Sequence, residues 1–74
     1  MPDLPNVSGK NAIKIFESLG FKVVRQKGSH VVLRKENKGC VIPIHRELAI
    51  GTLRNIIKQA GITIEIFIDA YNNR

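Results

Sequence analysis

The chain has no tryptophan, one cysteine, and only four aromatic side chains (three Phe and one Tyr) among its 74 residues. A single cysteine cannot build an internal disulfide framework, so the fold must hold by packing alone. So few aromatics give little support to base stacking as a mode of recognition. No apolar run approaches the ~18 residues of a membrane span. No charged n-region followed by an apolar h-region precedes the core, so a soluble, cytoplasmic protein is expected. Walker-type loops, HExxH, CxxC and the dinucleotide glycine fingerprint are missing, as are repeats and low-complexity tracts. The length excludes a second core and points to one domain over residues 1–74. Acids are the remaining scarcity: six Asp and Glu face twelve Lys and Arg, for a net charge of +6 and a pI near 10.0. An apolar share of 43% is too rich for a disordered basic tail. Such a balance points to a polyanionic partner, most simply nucleic acid; a merely solubilising charge is the plainer alternative.

The charge is uneven. Residues 1–60 hold eleven Lys and Arg against four acids, while residues 61–74 hold Arg74 against Glu65 and Asp69. Any polyanion is therefore expected on the first sixty residues.

Met1 to Val7, with Pro2 and Pro5, reads as an irregular lead-in. Ser8 is a good N-cap, and Val7 with Ala12 fits a weak hydrophobic staple. Ala12, Ile13, Phe16 and Leu19 follow helical spacing up to Gly20, predicting a helix over about 8–19. Three short strands follow: Phe21 to Lys27, His30 to Lys35, and Cys40 to Ile44. In the second, Val31 and Leu33 point one way and His30, Val32 and Arg34 the other. Glu36 to Gly39 reads as the hairpin loop before the third strand. Pro43 cannot donate to a ladder, which makes the third strand an edge or limits it to pairing on one side there. Ala49, Ile50, Leu53, Ile56, Ile57 and Ala60 form an amphipathic stripe closed by Gly61. Thr63 caps a last helix with Glu65 in its first turn, and Ile64, Phe67, Ile68 and Tyr71 form its buried side.

The order is α-β-β-β-α-α, an α+β architecture. Tight connections imply an antiparallel three-stranded sheet, and the helical stripes cover one of its faces, leaving the other free. This is the arrangement of double-stranded-RNA-binding domains, although topology alone grants no function.

The chemistry available is thin. A metal site would have to use His30, His45 and a carboxylate in cationic surroundings, which repulsion disfavours; no metal or cofactor is expected. Gly28-Ser29-His30 is the most informative stretch, lying at a strand-to-strand turn flanked by Arg25, Lys27, Arg34 and Lys35. Gly28 reads as a structural turn residue. His30 is either a strand residue on the free face or a base. A neutral imidazole beside phosphate-binding cations is what proton abstraction from a ribose 2′-hydroxyl requires. Ser29 reads as a turn residue or phosphate donor rather than a nucleophile, because neighbouring strand residues point to opposite faces. Lys22, Arg25, Lys27, Arg34, Lys35, Arg54 and Lys58 are candidate phosphate contacts. With about four to six engaged, the log–log dependence of affinity on salt should be on the order of −3 to −5. His45 is a loop residue or an auxiliary acid, and Cys40 a small buried hydrophobe.

Val7-Ser8-Gly9-Lys10, Leu19-Gly20-Phe21 and Arg25-Gln26-Lys27-Gly28-Ser29-His30 resemble the HicA toxin family (HicA/YcfA-like mRNA interferases). Ile42-Pro43-Ile44-His45, Gly51-Thr52-Leu53-Arg54 and Gln59-Ala60-Gly61-Ile62 extend the resemblance from about Leu4 to Phe67. It implies the toxin of a type II toxin–antitoxin pair with a double-stranded-RNA-binding-domain-like fold. It further implies cleavage of mRNA by the histidine of the Gly-Ser-His motif, here His30, and a HicB-like antitoxin partner. DNA would be engaged only through that antitoxin. The chain departs from the family's usual pattern at Ile66, where members often carry an acid, and in the hairpin from Glu36 to Gly39. The resulting expectation is a slow, metal-independent endoribonuclease; a non-catalytic RNA-binding module and a purely partner-binding protein are the alternatives.

Overall fold

Ser8 opens the first helix as its side chain accepts the Asn11 amide at 3.0 Å. The computed structural model describes residues 3–73, so Met1 and Pro2 of the expected lead-in, and Arg74, lie outside the described residues. Helix α1 spans Gly9–Ser18 and strands β1, β2 and β3 span Lys22–Lys27, His30–Lys35 and Lys38–Pro43. Helices α2 and α3 span Ile50–Ala60 and Ile64–Asn72. The order is the expected α-β-β-β-α-α, and the sheet is antiparallel throughout with β2 in the centre.

Local signals act as read. Gly61 closes α2 in the left-handed conformation, and the Thr63 hydroxyl accepts the Ile66 amide at 3.1 Å. The helices bury the β2 and β3 part of one sheet face, while every residue of β1 stays exposed, and the core centres on Phe16, which meets Phe21 edge-on at 5.4 Å and Phe67 at 5.7 Å. Val31, Leu33, Cys40 and Ile42 supply the sheet's share of this core, with Ile15, Leu53, Ile56 and Ile57 from α1 and α2. Burial of such side chains, at about 1.5–3 kcal/mol each, is the dominant stabilisation available to a chain without disulfides.

Four details differ from the reading of the sequence. The β2–β3 turn is Glu36-Asn37 rather than a loop through Gly39, because Glu36 takes a left-handed conformation (φ 56°) that lets Lys35 pair with Lys38. Strand β3 therefore starts two residues early and ends at Pro43; Ile44 lies beyond it. Leu48, rather than Ala49 or Ile50, enters the core, because its amide bonds the Val7 carbonyl at 2.8 Å and draws the loop inward. Of the expected buried side of α3 only Phe67 is fully buried; Ile64, Ile68 and Tyr71 are half-buried.

Burial pushes the Cys40 thiol from an ordinary 9.0 up to about 11. Below pH about 9 both folded and unfolded chains keep the proton. Between about 9 and 11 only the unfolded chain releases it, so stability falls across that window. The folded protein should therefore resist iodoacetamide at pH 8 and label fully once denatured, as mass spectrometry would show. Rapid labelling of the folded chain would contradict this burial.

Candidate functional site

The sheet face away from the helices is organised by cross-strand pairs, since partners in a ladder project from the same side. Lys27 pairs with His30, and His30 with Pro43; Arg25 pairs with Val32, and Val32 with Val41; Lys22 pairs with Arg34, and Arg34 with Gly39. Three rows thus run across the open face. The first carries Lys27 and His30, the second Arg25 above the apolar pair Val32 and Val41, and the third Lys22 and Arg34. Lys22, Arg25, Lys27, His30 and Arg34 are all exposed.

This gathering depends on an irregularity. The register shifts between Val23 and Arg25, leaving Val24 as an extra residue in β1. Strict alternation would put Lys22 on one face and Arg25 and Lys27 on the other. The bulge adds one residue, so all three cations emerge beside His30 and Arg34. Bulges commonly re-aim side chains in this way next to functional sites.

The turn that presents His30 is two residues long, Gly28-Ser29. Gly28 has φ +60° with open space around the position of a Cβ, and Ser29 has no positive φ. This is the pattern of a II′ hairpin turn, which favours glycine at its first central position. The Ser29 carbonyl accepts the Ile44 amide at 2.7 Å, tying the turn to the chain leaving β3. Ser29 and His30 share no side-chain hydrogen bond among the described residues, so the structure shows no nucleophile–base pair.

Other residues named from sequence are placed elsewhere. Lys35 lies on the opposite side of β2, and its ammonium donates to the Leu19 carbonyl at 2.8 Å. It closes the C-terminus of α1, where a cation suits the helix dipole. Arg54 and Lys58 are exposed on α2, the helix that packs along β3 from the core side. His45 follows β3, is exposed, and gives its backbone carbonyl to the Gly9 amide at 2.9 Å. Among the described residues, His, Cys, Asp and Glu side chains nowhere gather in threes or more, so His30 and His45 are not joined by a carboxylate. No helix among those residues is long and apolar enough to cross a membrane.

Sequence reasoning missed Lys10 and Arg46. They line a cavity of about 390 Å³ together with Ser8, Ile44 and His45. Lys10 and Arg46 stand 36 positions apart, so no local pattern joins them.

Comparison with curated proteins returns no match. The family model described as the HicA toxin of bacterial toxin–antitoxin systems matches residues 9–62, from the first residue of α1 to the residue after Gly61. That span includes the whole sheet, the Gly28-Ser29 turn and α2, so the chain belongs to the HicA toxin family, the toxin side of bacterial toxin–antitoxin systems.

Proposed function

We propose that the open sheet face binds RNA and that His30 cleaves it as a general base. The observation that carries this reading is the bulged register, which sets Lys22, Arg25, Lys27 and Arg34 around one exposed imidazole on an uncovered face. In this reading His30 takes the proton of a ribose 2′-hydroxyl, and the 2′-oxygen attacks the adjacent phosphorus. The bond to the 5′-oxygen of the next nucleotide breaks, leaving a 2′,3′-cyclic phosphate. Lys27, in the same row as His30, and Arg25 and Arg34 in the neighbouring rows offset the charge that grows on the phosphoryl oxygens. His45 is the candidate proton donor to the leaving oxygen. Val32 and Val41 offer an apolar strip for sugar contacts, and the lack of aromatics on this face favours modest sequence preference.

Family membership implies an antitoxin partner. The partner in this reading is a HicB-like protein that masks the cationic face, and the toxin acts in the cytoplasm once released from it. The direct test is incubation of the purified chain with mRNA in excess EDTA, followed by analysis of product ends. Cleavage should persist and yield 2′,3′-cyclic phosphate or its hydrolysis product. Products with 5′-phosphate ends, or complete inhibition by chelator, would overturn the proposed chemistry. RNA binding without cleavage would favour the non-catalytic module.

A further inference from the structure

The cavity beside the Gly28-Ser29 turn meets the cleavage step just described only at His45; its two cations have no role in that step. Its lining residues are Ser8, Lys10, Ile44, His45 and Arg46. Backbone bonds fix its walls: the Gly9 amide bonds the His45 carbonyl at 2.9 Å, and the Ile44 amide bonds the Ser29 carbonyl at 2.7 Å. The same stretch of chain therefore joins the cavity to the turn that carries His30.

The lining is chemically one-sided. Lys10 and Arg46 bring basic side chains, and His45 adds an imidazole. No acid lines the cavity, and no described carboxylate pairs with Lys10 or Arg46. The Ser8 oxygen already accepts the Asn11 amide, so its hydroxyl proton remains for another acceptor. Amides at the start of α1 are largely committed, Gly9 to His45, Asn11 to the Ser8 side chain and Ala12 to the Ser8 carbonyl. Recognition here therefore comes from side chains converging from two distant segments, and those side chains offer donors with positive charge. That combination selects an oxyanion.

Position narrows the anion. Pro43 pairs with His30, and His45 stands two residues further on. An extended chain covers at most about 7 Å in that distance, a span comparable to one nucleotide of RNA backbone. The cavity's 390 Å³ also exceeds what a lone phosphate fills, leaving room for its ribose. We infer that Lys10 and Arg46 hold the RNA phosphate next to the scissile one, so that the substrate is gripped across two phosphates. The inference rests on the RNA-cleavage reading for its register, and on the cavity alone for its anion.

The test uses short, base-degenerate substrates. A dinucleotide contains only the scissile phosphate, whereas trinucleotides with one cleavable ribose, the others being 2′-O-methylated, add a flanking phosphate on one side or the other. For the wild-type chain, kcat/KM should rise about tenfold from the dinucleotide to one of the two trinucleotides, the size of one charge-assisted contact. In the Lys10→Ala/Arg46→Ala double variant the trinucleotide-to-dinucleotide ratio should fall towards one. Both residues are exposed, so the melting temperature should hold. A ratio that survives the double substitution overturns the inference, including the case in which only binding of an acidic partner protein weakens. In a parallel arm, NMR titration with a fully 2′-O-methylated trinucleotide should shift the Lys10, His45 and Arg46 amides, and the double variant should lose most of the affinity. If the wild type cleaves nothing, the nuclease reading falls, and this binding arm decides the cavity by itself.

Discussion

His30→Ala is expected to slow RNA cleavage by roughly 10²–10⁴-fold, the usual contribution of one positioned general base. Thermal stability should change by less than about 0.5 kcal/mol, as for an ordinary surface substitution. The separation follows from where His30 sits. Its backbone pairs with Lys27 and Pro43 in the ladder, which alanine preserves, while its side chain is exposed and has no hydrogen-bond partner among the described residues. RNA affinity should also be nearly retained, because Lys22, Arg25, Lys27 and Arg34 are untouched. Arg25→Ala should show the converse pattern, with weaker binding and a shallower salt dependence, as expected for loss of a phosphate contact. Cleavage assays, melting curves and filter binding on the same preparations distinguish the roles. Full cleavage by His30→Ala would end the assignment of the base. Matched losses of folding and activity would instead make His30 a structural residue.

What the sequence disclosed was mostly local. Ser8, Thr63 and Gly61 act within one helical turn of themselves, and each terminus lies where its residue type predicts. The alternation of Val31 and Leu33 against His30, Val32 and Arg34 likewise needs only the period of a strand. The open face followed from having helices enough for one side of a three-stranded sheet. The arrangement of cations on that face was not legible. Nothing in Lys22-Val23-Val24-Arg25 distinguishes a bulge from continuous alternation, because a bulge is decided by the partner strand, and both valines are exposed. Lys35 looked like a further phosphate contact because it follows Arg34, yet its ammonium reaches the end of α1, sixteen residues earlier. Lys10 and Arg46 escaped notice for a related reason. Their meeting requires the lead-in and the loop after β3 to pair through Val7 with Leu48 and Gly9 with His45. The helix interiors and the place of His30 on the sheet could be read from residue type and spacing, whereas the surroundings of that histidine depend on contacts between segments.

The closest of those contacts yields the second large effect. Gly9→Ala should destabilise the chain by about 3 kcal/mol or more, at the upper end of overpacking costs. For a domain of this size that corresponds to a fall in melting temperature of roughly 12–24 °C. Helix propensity alone predicts the opposite sign, since alanine is favoured over glycine by about 0.8–1 kcal/mol inside a helix. The difference lies in what surrounds the residue. Gly9 is buried, and a Cβ there would fall on the Pro43 carbonyl oxygen, 2.9 Å from the Ile44 Cα and 3.0 Å from the His45 amide nitrogen. All three belong to backbone held by hydrogen bonds, including the one Gly9 itself donates to His45, so none can yield as a flexible side chain would. Gly51 provides the internal control. It also lies in the first turn of a helix, but nothing stands within 4 Å of its Cβ position. Gly51→Ala should therefore be neutral or stabilise by up to about 1 kcal/mol, following propensity. Calorimetry on the two variants makes the comparison direct. If Gly9→Ala melts with or above Gly51→Ala, the start of α1 does not bear on the chain after β3, and the cavity between them loses its fixed wall.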